Sequence, residues 1–149
     1  MAANPAEGEF SLPLRVYIED TDAGGIVYYV NYLKFMERCR TEFMRSLGFD
    51  KNFIFNEDIM FVVRDVAVTY LQPARLDDEL IATATITVVK GAAMTLRQSI
   101  KRGSQVLAEG TVKIVCVDKT GLKPRRIPRV MLNSLRRPGI EQVAETTGH

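Results

Sequence analysis

The feature that most constrains this chain of 149 residues is a helical stretch, about Tyr28 to Leu47, that is apolar around most of its circumference. Lys34, Arg38, Thr41 and Arg45 follow steps of four, three and four, so they form one narrow polar face. Tyr32, Leu33, Phe35, Met36, Cys39, Phe43, Met44 and Leu47 occupy most of the rest, and Gly48 suits the left-handed residue that ends a helix. Such a helix must be covered on more than one side.

The remaining segments read as that cover. Leu14 to Asp20 alternates, with Leu14, Val16 and Ile18 opposite Arg15, Tyr17 and Glu19, which predicts a strand. A second strand is expected over Phe61–Leu71, ended by Pro73. Along Glu79–Val89, Ala82, Ala84, Ile86 and Val88 alternate with Ile81 and three threonines, a β-branched ladder. Met94, Leu96, Gln98 and Ile100 lead into a hairpin at Lys101-Arg102-Gly103-Ser104. The returning strand presents Val106, Ala108, Gly110, Val112, Ile114 and Cys116 on one face, and a short helix over Arg129–Leu135 closes the unit. Short connections favour antiparallel neighbours. The expected fold is therefore α+β: one long central helix wrapped by a curved antiparallel sheet of about five strands. Residues 12–137 are expected to form a single domain, with 1–11 and 138–149 as loose ends.

Composition narrows the function. A chain 46% hydrophobic and 26% charged is that of a globular domain, and a net charge of +2 is not that of a polycation built to grip nucleic acid. No apolar run approaches the ~20 residues of a membrane span, and the first residues lack the basic and hydrophobic regions of a secretory signal. Cys39 and Cys116 lie far apart in apolar stretches without zinc spacing, so they read as small buried hydrophobes in a reducing compartment. The cytoplasm is the expected location, and neither metal nor cofactor is called for. The chain's one histidine is its last residue, His149, where an imidazole is rarely held still. An enzyme built on this chain would use a carboxylate for acid–base work.

Carboxylates occur where the first strand meets the helix, in Asp20-Thr21-Asp22-Ala23-Gly24-Gly25. Two glycines allow positive φ and a close approach of backbone to a ligand. The helix start beyond them offers N–H groups without intrahelical partners, at the positive end of the dipole. Such N–H groups stabilise an oxygen that becomes negative, and a nearby carboxylate serves as base or nucleophile. Acyl transfer fits these parts. A lone Asp here would more simply cap the turn. A calcium loop is excluded, because its twelfth position is Asn31 rather than a bidentate Glu and a strand precedes it. Neither phosphate-cradle glycine motif is present.

The run from Arg15 to Tyr32, which contains this turn, resembles the signature of the 4-hydroxybenzoyl-CoA thioesterase family, the hot-dog fold. Glu37-Arg38-Cys39-Arg40-Thr41-Glu42, Pro73-Ala74-Arg75-Leu76-Asp77-Asp78, Val115-Cys116-Val117-Asp118 and Lys123-Pro124-Arg125 are similar to its branch of Tol–Pal-associated acyl-CoA thioesterases. The resemblance spans roughly residues 14–130. It implies acyl-CoA hydrolysis, a hot-dog dimer pairing into a tetramer with active sites between subunits, and a link to the Tol–Pal envelope system. It places the catalytic carboxylate on Asp22 rather than Asp20, and the oxyanion donor on backbone N–H near Tyr29. The chain departs from the branch at Tyr29, where a histidine is common and the aromatic-acyl branch has tyrosine. Substrate contacts are expected from Gly25 and Tyr28 and, for the phosphates of CoA, from Lys90, Arg125 and Arg126; Tyr28, Tyr29 and Tyr32 are candidates for the acyl pocket. The alternatives are a non-catalytic acyl-CoA-binding or scaffold protein of the same fold, and a hot-dog dehydratase, which would need a histidine base.

Overall fold

The computed structural model describes residues 8–135 and 141–142. Strand β1 (Glu9–Arg15) passes through a 3-10 turn at Ile18–Asp20 into helix α1 (Tyr29–Ser46). Helix α2 (Lys51–Glu57) follows, then β2 (Ile59–Tyr70), β3 (Glu79–Lys90), β4 (Ala93–Arg102) and β5 (Gln105–Asp118), helix α3 (Arg129–Ser134) and the two-residue β6 (Glu141–Gln142). The sheet order is β1-β3-β4-β5-β2, with every one of these pairs antiparallel, and β6 runs parallel to the end of β3 beyond β1. Among the described residues no helix is long and apolar enough to cross a membrane.

Helix α1 lies across β1, β3 and β4. Its Tyr32, Phe35, Met36, Cys39 and Phe43 are buried against Leu80, Ile86, Leu96 and Ile100. Each large side chain buried this way contributes about 1.5–3 kcal/mol. The helix ends as expected: Gly48 has φ 93°, and the N–H of Phe49 returns to the carbonyl of Met44 at 2.9 Å. One side of α1 stays open in the single chain, where Tyr29 and Val30 are 71% and 56% exposed.

The structure corrects several boundaries. The strand expected over Leu14–Asp20 ends at Arg15, because the Asp20 carboxylate accepts the N–H of Tyr17 at 2.9 Å and turns the chain. Ile18 is consequently 77% exposed and Val16 alone continues into the core. β1 begins at Glu9, inside a segment expected to be loose, since its backbone pairs with β3 from Glu9↔Thr85 onward. The other end, 138–149, lies outside the described residues except for β6. In β3 a register shift between Ile86 and Val88 breaks the alternation, and Val89 rather than Val88 is buried. Helix α2 was not expected. Asp50 starts it by accepting the N–H of Phe53 at 3.1 Å, and Phe53 packs on Phe49 with ring centroids 4.9 Å apart.

Candidate active site

Asp20 and Asp22 have opposite surroundings. Asp20 is buried, and both of its oxygens are engaged: one accepts the N–H of Tyr17 and the other the side-chain amide of Asn31 at 2.8 Å. Its carbonyl accepts the N–H of Tyr28 at 3.1 Å, so Asp20 ties the end of the first segment to the start of α1. Asp22 is exposed. One of its oxygens accepts the N–H groups of Gly24 and Ile26 at 2.9 and 3.1 Å, while the other accepts no hydrogen bond among the described residues. Gly25 follows at φ 78°, a conformation that a side chain would strain.

This turn is held from outside by the β2–β3 connection. The N–H of Val27 donates to the carbonyl of Ala74, and the N–H of Leu76 to the carbonyl of Gly25, both at 2.9 Å. Beyond it, Tyr28 is the N-cap and α1 begins at Tyr29. The N–H of Asn31 turns back to the carbonyl of Tyr28 at 2.9 Å, which leaves those of Tyr29 and Val30 without an intrahelical acceptor. A free carboxylate oxygen and two helix-start donors thus share one short segment.

The tyrosines divide. Tyr28 is half exposed and Tyr29 largely so, but Tyr32 is 2% exposed and belongs to the core, its hydroxyl accepting the N–H of Ala74 at 2.8 Å. Burial pushes the Tyr32 hydroxyl above its usual pKa. Tyr70, expected only as a residue of the strand Phe61–Leu71, packs on Tyr29 with centroids 4.8 Å apart and donates to its carbonyl at 3.4 Å.

The basic candidates gather at the other end of the sheet. The N–H of Ile127 donates to the carbonyl of Gly91 at 3.2 Å, which lays the loop carrying Arg125 and Arg126 beside Lys90. The Arg125 guanidinium also donates to the carbonyl of Glu57 at 2.7 Å. Asp22 lies by the first residues of β3 and Lys90 is the last, so roughly 35 Å of strand separates them within one chain. The structure does not bring these residues together in a single subunit. An apolar cavity of about 500 Å³ also opens at this far end, between Met44, Phe49, Phe61, Val63 and Ile114, with Arg40 at its wall.

A long helix laid on a curved five-stranded antiparallel sheet is the architecture of the hot-dog fold. A model of the thioesterase-like superfamily matches residues 16–135, and the chain belongs to that family. It is 44% identical over 121 residues to the acyl-CoA thioesterase YbgC of Haemophilus influenzae, covering 80% of this chain and 89% of that protein. It is equally similar, at 44%, to the acyl-CoA thioester hydrolase YbgC of Escherichia coli O6:H1, covering 80% of this chain and 90% of that one. Among solved structures, a probable thioesterase from Bartonella henselae superposes with a TM-score of 0.72 at 36% identity, over 81% of this chain and 99% of that one.

Proposed function

We propose that this chain hydrolyses acyl-CoA thioesters to free acid and CoA, with Asp22 as the reacting carboxylate and the helix-start N–H groups at Tyr29 as the oxyanion hole. The hydrolase activity accords with the YbgC relatives named above. The observation that carries the assignment of Asp22 is its exposed carboxylate, with one oxygen free, in the turn immediately before α1. The thioester carbonyl oxygen accepts from the helix-start N–H groups. Asp22 then takes a proton from an attacking water, or itself attacks to form a mixed anhydride that water opens. In both routes the C–S bond breaks, CoA leaves as thiolate and picks up a proton, and the free acid remains. The step uses only water.

Self-association belongs to this reading. β2 pairs with β5 on one side, and its other edge carries no strand among the described residues. Val63 and Val66 on this strand are 51% and 45% exposed, flanking Arg64 and Asp65 at a register shift, on an unpaired edge of twelve residues. Two copies joined antiparallel along β2 would set the Ile59 end of one beside the Tyr70 end of the other. Because Ile59 pairs with Asp118 and the Tyr70 side chain touches Tyr29, that join carries the basic loop of one copy towards the Asp22 turn of the other. Lys90, Arg125 and Arg126 then serve CoA phosphates across the interface, which answers their separation from Asp22 within one subunit. Two such dimers make the tetramer implied by the resemblance. A cytoplasmic setting fits an acyl-CoA substrate and two buried free thiols; the Tol–Pal link rests on resemblance alone.

A thiol-release assay across short, long and aromatic acyl-CoA substrates tests the activity. Release from at least one class is expected, and no release from any would leave the acyl-CoA-binding protein as the better account. Label found in the Asp22 carboxylate after single turnover in ¹⁸O water identifies the anhydride route opened by water at the Asp22 carbonyl, because the general-base route places label only in the free acid.

A further inference from the structure

We propose that Asp78 and Arg102 are positioning residues for Asp22, an inference that rests on the reading of Asp22 as the reacting carboxylate. The Asp22 turn has few anchors of its own. Its internal hydrogen bonds shape it but do not fix it to the sheet. Its base is tied to α1 through Asp20, which accepts from the Tyr28 N–H and the Asn31 amide, and its outer side is fastened by two backbone bonds to the segment Ala74–Leu76: Val27 N–H to the carbonyl of Ala74, and Leu76 N–H to the carbonyl of Gly25. Ile26 and Arg75 face each other across this short antiparallel bridge. The 74–76 segment thus braces the outer side of the turn that carries the Asp22 carboxylate.

That segment is itself a connection between strands, and the Asp78 carboxylate organises it. One oxygen of Asp78 accepts the N–H of Arg75 at 2.8 Å and also the guanidinium of Arg102 at 2.7 Å. The N–H of Asp78 in turn donates to the carbonyl of Arg75 at 3.0 Å, closing the loop into a tight turn in which Asp77 is held at φ 70°. Arg102 is the last residue of β4, beside the start of β3. It donates additionally to the carbonyl of Pro73 at 3.3 Å and, through its second terminal nitrogen, to the Gln105 side chain at 3.0 Å. One guanidinium therefore grips both ends of the loop whose middle carries the Asp22 turn. The pair is partly covered, with side chains 33% and 21% exposed, so solvent screens it less than an exposed pair. Neither residue belongs to the Asp22–Tyr29 segment. Their effect is on where the carboxylate stands, and displacement of a reacting group by about 1 Å costs rate on the order of 10²-fold.

The test compares kcat, KM and melting temperature for wild type, Arg102→Met, Arg102→Lys, Asp78→Asn, Asp22→Asn and the double variant Asp22→Asn/Arg102→Met on the best acyl-CoA substrate. Arg102→Met should lower kcat on the order of tenfold or more with KM changed less than twofold, and Arg102→Lys should restore part of the loss. Asp78→Asn keeps an acceptor for the Arg75 N–H while removing the ion pair, so it should reproduce the effect and carries the test if Arg102→Met does not fold. On the rate that Asp22→Asn retains, Arg102→Met should have no further effect, because both changes act through one carboxylate. A purely structural role would lower that residual rate by the same factor as in wild type, and that outcome overturns the proposal. So does an unchanged kcat in Arg102→Met and Asp78→Asn beside an inactive Asp22→Asn, which leaves the reading of Asp22 standing. Full activity in Asp22→Asn overturns that reading itself, and the positioning role with it.

Discussion

Asp20 accepts hydrogen bonds at both carboxylate oxygens inside the protein, whereas Asp22 keeps one oxygen clear of the chain. Substitution should separate them. Asp20→Ala strands the part-buried Tyr17 N–H and the buried Asn31 amide, and a loss of about 1–3 kcal/mol is expected in denaturant melts. A second residue-level effect concerns Cys39. Burial pushes its thiol up to about 12 from an ordinary 9.0. The folded state thus holds a proton that the unfolded state releases. The resulting stability is complete below pH 9 and is lost as pH rises towards about 12. Cys39→Ala should flatten that alkaline fall, measured by denaturant midpoints between pH 8 and 11. An equally steep fall in the variant would assign the loss to other groups.

Gly110 shows why one strand position is not interchangeable with the next. A Cβ placed there would come within 2.2 Å of the Ala67 carbonyl and 3.0 Å of the Val68 Cα, so β5 and β2 approach too closely for any side chain. Gly110→Ala should destabilise the protein by about 1–3 kcal/mol, read as a lowered denaturant midpoint. No periodicity reveals this. The residues Met94, Leu96, Gln98 and Ile100 announced β4 and its buried face because side chains alternate across a pleat, and the structure bears them out. The same rule failed at Ile18 and Val88, where a carboxylate-capped turn and a register shift override local alternation. Helix α2 was hidden because its seven residues are too few to display a helical period. At the candidate site, the turn Asp20-Thr21-Asp22-Ala23-Gly24-Gly25 between the first strand and α1 was legible from its residue types. The contacts of Tyr70 with Tyr29 and of Asp78 with Arg102 were not legible, since they join residues 41 and 24 positions apart in the chain.

On the scale of the whole molecule, the separation of Lys90, Arg125 and Arg126 from Asp22 makes the association state a functional question. If β2 joins two copies, Val66→Lys places like charges at the seam. The variant should shift towards monomer in sedimentation velocity and raise KM for acyl-CoA, because each site would lose the neighbour's basic loop. A monomer with unchanged KM would contradict contacts across that edge. Reversing charge at Arg126 should raise KM while sparing kcat, since it touches the carrier and not the carbonyl.

The account stands most directly on the rate of thiol release by Asp22→Asn, measured beside wild type with equal folding confirmed by thermal melting. Asparagine keeps the size and polarity of the side chain and removes its ability to take a proton or attack. A fall in kcat on the order of 10²- to 10⁴-fold, with the melting temperature little changed, is the predicted result. Retention of wild-type kcat on the best acyl-CoA substrate would contradict it.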